Sequence, residues 1–194
     1  MALSVTLNCT AFTNEQLIRD AKPKIVFAGR SNVGKSSLLN ALFGQKLAKI
    51  SSTPGKTQSV NYYELKTLPG YLVDLPGYGY AKASLEQRQI WGQLLETFFN
   101  VTSNIILVCV LIDSRLPPQE KDLEMISYSQ NKDLPLLGIL TKTDKCSKNE
   151  IKKQINLFSN IFKNTPLATS SKQKSGVELL AKTLLETFTT KESS

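Results

Sequence analysis

The stretch Lys24-Ile25-Val26-Phe27-Ala28-Gly29-Arg30-Ser31-Asn32-Val33-Gly34-Lys35-Ser36-Ser37 decides how the rest of the chain is read. Lys24 to Ala28 reads as a buried strand, and Gly34 to Phe43 as a helix. Between them Gly29 to Ser36 fits G-x-x-x-x-G-K-[ST] without a gap. A strand that hands over to a helix through such a loop turns backbone amides inward, around an anion. Gly29 and Gly34 permit backbone angles and a close approach that a Cβ would block. The first turn of the helix adds unpaired N–H groups and a positive dipole end. Lys35 can then bridge β- and γ-phosphates, and the Ser36 hydroxyl can sit on Mg²⁺. A chance Gly-rich turn is the competing reading, but a random match in a chain of this size has odds on the order of 1%. Both flanks here are also of the required type.

The surrounding composition fits one α/β domain. The chain has 194 residues, 41% hydrophobic and 21% charged, enough to bury a core without staples. The three cysteines, Cys9, Cys109 and Cys146, are far apart, which excludes a disulfide framework and a cysteine-based zinc site. With no histidine, imidazole mechanisms are excluded: Ser-His-Asp hydrolysis, His-ligated zinc and His phosphotransfer. The longest strongly apolar run, Ile105 to Ile112, is 8 residues, against about 20 for a membrane span. No basic region precedes an apolar one at the N-terminus. The expectation is a cytoplasmic protein with no membrane partner, monomeric when free.

Outward from the loop, short β-branched runs alternate with amphipathic segments. Val60 to Leu65 reads as an edge strand and Tyr71 to Asp74 as a short strand ending at an acid. Ile105 to Asp113 is the clearest buried strand, and Leu134 to Thr141 and Pro166 to Thr169 are two more. Leu85 to Phe99 reads as a helix. Ser147 with Glu150, and Ser175 with Glu178, are capping boxes ahead of helical spacings. The pattern predicts a P-loop NTPase fold: a mostly parallel central sheet of about six strands with helices on both faces. The expected domain is a single unit over residues 1–194. Its core spans about 18–188, with a short N-terminal extension and a disordered tail from about 189. In such sheets ligands bind beyond the carboxyl ends of the strands.

Two more motifs fall at those ends. Asp74-Leu75-Pro76-Gly77 is placed to orient Mg²⁺ through water with Asp74 and to offer the Gly77 amide to a γ-phosphate; alone, D-x-x-G resembles any Pro-Gly turn. Thr141-Lys142-Thr143-Asp144 ends the next-to-last strand. A carboxylate there can accept two hydrogen bonds, from guanine N1–H and the 2-amino group. Adenine presents neither donor in that place and would leave the acid unpaired. The Lys142 stem can cover the base face, and the amides of Thr169-Ser170-Ser171 can meet guanine O6.

Taken in order, these motifs resemble translation-factor-class GTPases. More specifically, Gly29 to Ser37, Thr53-Pro54-Gly55-Lys56-Thr57-Gln58 followed by Asn61-Tyr62-Tyr63, Asp74 to Tyr80 and Thr141 to Asp144 resemble the EngB (YihA/YsxC) family of bacterial GTP-binding proteins, in the TrmE-Era-EngA-EngB-Septin-like superfamily. The similarity runs from about Ile18 to Leu185. It implies a G domain whose first switch is Gly55 to Ser59 and whose second is Asp74 to Ala83. Thr57 would complete the Mg²⁺ shell with Ser36, and Asp74 would be the third metal-site residue. The nucleotide site would comprise residues 29–37, 55–59, 74–77, 141–144 and 169–171. The resemblance also implies a part in assembly of the large ribosomal subunit, and in normal cell division and septation.

Two positions depart from the wider pattern. Thr141 replaces the usual Asn, as is common in this family. Tyr78 stands where Ras-like enzymes place the Gln that positions the attacking water, so hydrolysis is expected to be slow. Asn32 matches the P-loop Asn by which relatives hold K⁺ against the phosphates; the alternative is a residue that simply suits the turn. The catalytic candidates are therefore Lys35, Gly77 and Asn32. Two other functions use the same loop: a small-molecule kinase, which T-K-x-D argues against, and a nucleic-acid-binding module with incidental turnover. The net charge is +8, and Lys142 to Lys174 holds eight Lys against Asp144 and Glu150. That run is either a solvated helix face or a polyanion-binding surface.

Overall fold

The computed structural model describes residues 2–48, 59–78 and 85–192. In chain order the elements are β1 (Val5–Ala11), β2 (Lys24–Gly29), α1 (Lys35–Phe43), β3 (Val60–Leu65), β4 (Tyr71–Asp74), α2 (Leu85–Val101), β5 (Ile105–Asp113), α3 (Glu120–Asn131), β6 (Leu136–Thr141), α4 (Lys148–Phe162), β7 (Leu167–Ala168) and α5 (Val177–Glu192). The strands form one sheet in the order β1-β3-β4-β2-β5-β6-β7. β1 and β4 flank β3 antiparallel, and every other pairing is parallel.

The period of two along the central strands sorts side chains onto two cores. Ile25 and Phe27 of β2, with Cys109 and Leu111 of β5, pack under Leu38, Leu39 and Leu42 of α1 and Leu180, Leu184 and Phe188 of α5. Val26 and Ala28, with Val108, Val110 and Ile112, face Leu94 and Phe98 of α2, Ile126 of α3, and Phe158 and Phe162 of α4. Strands covered on both sides read as continuous apolar runs, which is why β5 was plain in the sequence.

The sheet has seven strands, not about six. Val5 to Ala11, expected as an extension before the core, pairs with β3 from Val5↔Leu65 to Ala11↔Val60. β3, expected at the edge, is thereby an inner strand. The middle of β1 is exposed or half-buried, with Val5 and Ala11 buried at its ends, so it carries little apolar signal. The expected tail is shortened, because α5 continues to Glu192. The Ser147–Glu150 capping box is present: the Ser147 hydroxyl accepts from the Glu150 amide, and the Ser147 amide donates to Glu150 Oε2. At the second box the helix starts one residue later than the spacing implies. α5 begins at Val177, Gly176 with φ 70° stands at its start, and Ser175 instead bridges antiparallel to Ser170.

β2 has β4 on one side and β5 on the other. The connections leave it in opposite directions, so its carboxyl end is the switch point at which α/β sheets hold ligands.

Candidate nucleotide-binding site

The loop from Gly29 to Ser36 leaves β2 at that switch point. Gly34 enters α1 with φ 109°, in the region that favours glycine, whereas a Cβ on Gly29 would lie 2.9 Å from Val33 Cγ1 and 3.1 Å from Leu111 Cβ. One glycine thus serves the turn and the other the packing of loop on strand. Asn32 also turns through the left-handed region, φ 65°, and its side chain is exposed. Val33 is buried; Arg30, Ser31, Ser36 and Ser37 are half-buried.

Lys35, at the start of α1, is buried, and its ammonium pairs with the buried carboxylate of Asp74 at the end of β4. Asp74 is held in register by Phe27 of β2 and Asn61 of β3. Past Asp74 the chain follows the loop closely. The Leu75 amide donates to Phe27 O at 3.1 Å, the Ser31 amide to Tyr78 O at 2.9 Å, and the Ser31 hydroxyl to Gly77 O at 3.2 Å. A Cβ on Gly77 would come within 3.1 Å of the Ser31 backbone. Leu75 and Pro76 are buried beside it.

Tyr78 turns toward α3. Its hydroxyl donates to Asp122 Oδ1 at 3.0 Å. Burial, then the Asp122 charge, push the phenol well above its ordinary value, so it remains a donor. Burial likewise raises Asp122, against the pull of Tyr78 and Arg30. Arg30 Nη1 reaches Gln119 Oε1, at the cap of α3, at 3.2 Å.

The guanine motif stands across the cleft, at the end of β6. The Thr141 hydroxyl, with one hydrogen, donates to Val33 O at 2.7 Å and shares it with Ile112 O at 3.1 Å. This hydroxyl ties the end of β6 to the phosphate loop. Lys142 is left-handed, φ 58°. Its ammonium donates to Asn32 O at 2.6 Å and to Asp113 Oδ2 at 2.8 Å. The Thr143 hydroxyl donates to Thr169 O at 2.9 Å. The Ser170 hydroxyl donates to Asp144 Oδ1 at 2.6 Å, and in turn accepts from the Gln173 amide. That hydroxyl first, with Lys172 and Lys145 nearby, holds the Asp144 carboxyl below its ordinary value.

A cleft of about 840 Å³ runs between these loops, lined among others by Gly34, Ser37, Thr141, Lys142, Asp144 and Ser171. The structure thus brings residues 29–37, 74–77, 141–144 and 169–171 to one end of the sheet. Of the first switch only Ser59 is described; it is buried just before β3, and its hydroxyl donates to Asn61 Oδ1 at 3.5 Å. Gly55, Lys56, Thr57 and Gln58 lie outside the described residues, as does the second switch beyond Tyr78. Asp113, which pairs with Lys142 at this end of the sheet, is not among the residues named from the sequence. The same rule that singled out Asp74 and Asp144, an acid at a strand's carboxyl end, would have found it.

The family model described as 50S ribosome-binding GTPase matches residues 24–142. The probable GTP-binding protein EngB of Desulfovibrio desulfuricans is 50% identical over 181 residues, covering 93% of this chain and 90% of that protein. The same-named protein of Kosmotoga olearia is 44% identical over 185 residues, covering 93% and 97%. A crystal structure of a probable GTP-binding protein EngB aligns with TM-score 0.70 and 24% identity, over 85% of this chain and 98% of that one, a likeness of fold. Matched over nearly its whole length by such relatives, the chain belongs to the EngB family of GTP-binding proteins.

Proposed function

We propose that this protein is a GTP-driven switch that hydrolyses GTP slowly, acts in assembly of the large ribosomal subunit, and is needed for normal cell division and septation. The observation that carries the guanine part is Asp144, its Oδ1 fixed by Ser170 and its carboxylate kept ionised, across one cleft from the Gly29–Ser36 loop. A kinase has no use for that arrangement, and a simple nucleic-acid module has no use for the paired loops. GTP and GDP should therefore bind in preference to ATP, measured with fluorescent nucleotides and competition. Equal affinity for ATP would remove the guanine reading.

The donor set suits magnesium bound together with a nucleotide. Among the described residues there is no cluster of three or more His, Cys, Asp or Glu. One carboxylate plus hydroxyls, completed by phosphate and water oxygens, is the hard oxygen shell Mg²⁺ takes. Ser36 and Thr57 would hold it directly and Asp74 through water. When bound it offsets charge on the β- and γ-phosphates. Lys35 adds its ammonium there, and the Gly77 amide meets the γ-phosphate, so that ordering of residues 55–59 and 74–83 reports the presence of GTP.

Tyr78 is committed to Asp122 and is no amide, so nothing in the position after Gly77 orients water. Turnover by the isolated protein should fall well below the roughly 1–100 s⁻¹ of kinases. With Asn32 as a K⁺ ligand, the rate should rise in KCl over NaCl at matched ionic strength. Identical rates in the two salts would leave Asn32 with its role in the turn.

The ribosomal part rests on family membership and on charge. Lys145, Lys148, Lys152, Lys153, Lys163, Lys172 and Lys174 are all exposed. None forms an ion pair with a described residue. Lysine heads suit phosphate backbones and give affinity without sequence choice. Changing Lys148, Lys152 and Lys153 to Glu should leave GTP affinity intact and weaken association with large-subunit particles. It should also reduce the log–log salt slope of that association by about three. An unchanged slope would return these lysines to a solvated face and move the contact to the switch segments.

A further inference from the structure

The sheet order places β5 between β2 and β6. The residue that ends β5, Asp113, therefore stands between the phosphate loop that leaves β2 and the guanine motif that ends β6; in register it lies beside Thr141. Its side chain is 9% exposed. Oδ2 accepts from Lys142 Nζ at 2.8 Å and from Arg115 Nη2 at 2.6 Å, and Oδ1 accepts from Arg115 Nε at 2.8 Å and the Arg115 amide at 3.2 Å. Burial alone would raise this carboxyl, but Arg115 and Lys142 together outweigh it and hold the group far below the usual carboxylate range.

Lys142 is the more consequential partner. Its ammonium also holds Asn32 O at 2.6 Å, 110 residues away in the chain. Lys142 and Asn32 both turn through the left-handed region, which Asn adopts readily but a lysine holds only where its surroundings enforce it. One ammonium thus joins two left-handed turns, one in the loop for the base and one in the loop for the phosphates. An ammonium is a compact point charge on a flexible stem; without a fixed counter-charge it has several solvated positions to choose from. Asp113, rooted at the end of a fully packed strand, supplies that fixed point.

We propose that Asp113 is a positioning residue for the nucleotide: through Lys142 it sets the spacing of the guanine-reading loop and the phosphate loop before either is filled. The inference rests on the guanine-nucleotide reading of the cleft. Preset spacing lowers the ordering cost of binding for any ligand that spans both loops, so GDP and GTP should gain alike. A rival account is local: Asp113 only builds the turn to Arg115, whose amide it accepts, and ties down that guanidinium.

A double-mutant cycle separates the two. Asp113→Asn keeps an oxygen for the Arg115 amide and removes the charge. Lys142→Met keeps an apolar stem over the base and removes the ammonium. Affinity for a fluorescent GDP and for a non-hydrolysable GTP analogue is measured for the full-length wild type, each single variant and the double. The expectation is a loss of about tenfold for Asp113→Asn, equal for both nucleotides, and no further loss when it is added to Lys142→Met. Arg115→Gln, at a side chain 41% exposed, is the companion variant that should fold whatever becomes of Asp113→Asn, and it should stay within twofold of wild type. Losses that add in the double variant, an unaffected Asp113→Asn, or an Arg115→Gln that reproduces its loss would each overturn the proposal. Wild type without affinity for either nucleotide would instead overturn the guanine reading itself.

Discussion

Asp144→Asn should weaken GTP binding by roughly 10²–10⁴-fold while raising the affinity for xanthosine triphosphate. The carboxylate can accept two charge-assisted hydrogen bonds from guanine, each worth about 1.5–3 kcal/mol net, and every 1.4 kcal/mol is tenfold. In the structure Oδ1 already accepts the Ser170 hydroxyl at 2.6 Å. An amide oxygen in that place can keep Ser170 and meet the base N1–H, which turns the amide NH₂ toward the 2-position. Guanine presents an NH₂ there, so two donors face one another. Xanthine presents a carbonyl, and the bond is restored. Asp144 is outside both cores and forms no ion pair with a described residue, so the variant should fold, and thermal unfolding checks this. Competition of both triphosphates against labelled GDP reads the outcome. GTP affinity unchanged by the substitution would show that the base is read elsewhere.

What the sequence disclosed, and what it withheld, follows from which residues carry period and which do not. β2, β5 and β6 are apolar on both faces and bounded by turn residues, so both their existence and their parallel direction could be read from one chain. The loop motifs were legible because their chemistry requires fixed spacing: a glycine on which a Cβ would lie 2.9 Å from a neighbouring side chain, or a carboxylate at a strand end, leaves few substitutes. β1 was not legible, since its middle residues face solvent and its two buried ends, Val5 and Ala11, are too few to set a pattern. Ser175 and Glu178 have capping-box spacing, yet α5 starts at Val177, one residue later than that spacing implies, and Ser175 also bridges to Ser170, a tertiary pairing the local signal does not carry. The sequence shows a tyrosine where a Gln stands elsewhere, but the partner of Tyr78, Asp122, lies 44 residues away. Nothing at either position announces the other. Asp113 is the same case with larger consequence, because its meaning depends on β5 lying between β2 and β6, a fact of sheet order.

Lys35 raises the question of how to separate loss of binding from loss of fold, and the buried pair with Asp74 supplies the means. Lys35→Met alone should abolish tight binding of GTP and GDP. Removing an ammonium that meets two phosphates forfeits charge-assisted bonds worth about 1.5–3 kcal/mol each, a loss of roughly 10²–10⁴-fold. The same change leaves Asp74, 2% exposed, as a buried carboxylate without its cation, and breaking one side of such a pair costs about 3–5 kcal/mol. The single variant should therefore also be markedly less stable, and weak binding by it alone would be ambiguous. Adding Asp74→Asn removes the orphaned charge. Asn61, beside Asp74 in the β3–β4 register, still faces a polar group, and two neutral side chains of similar volume replace the ion pair. Lys35→Met/Asp74→Asn should thus recover most of the melting temperature lost in the single variant while recovering none of the nucleotide affinity. The decisive measurement is the pair of thermal unfolding and nucleotide titration on all three proteins. A double variant that is as stable as wild type and binds GDP within tenfold of it would mean that Lys35 serves the fold through Asp74 and leaves the phosphates to the loop amides alone.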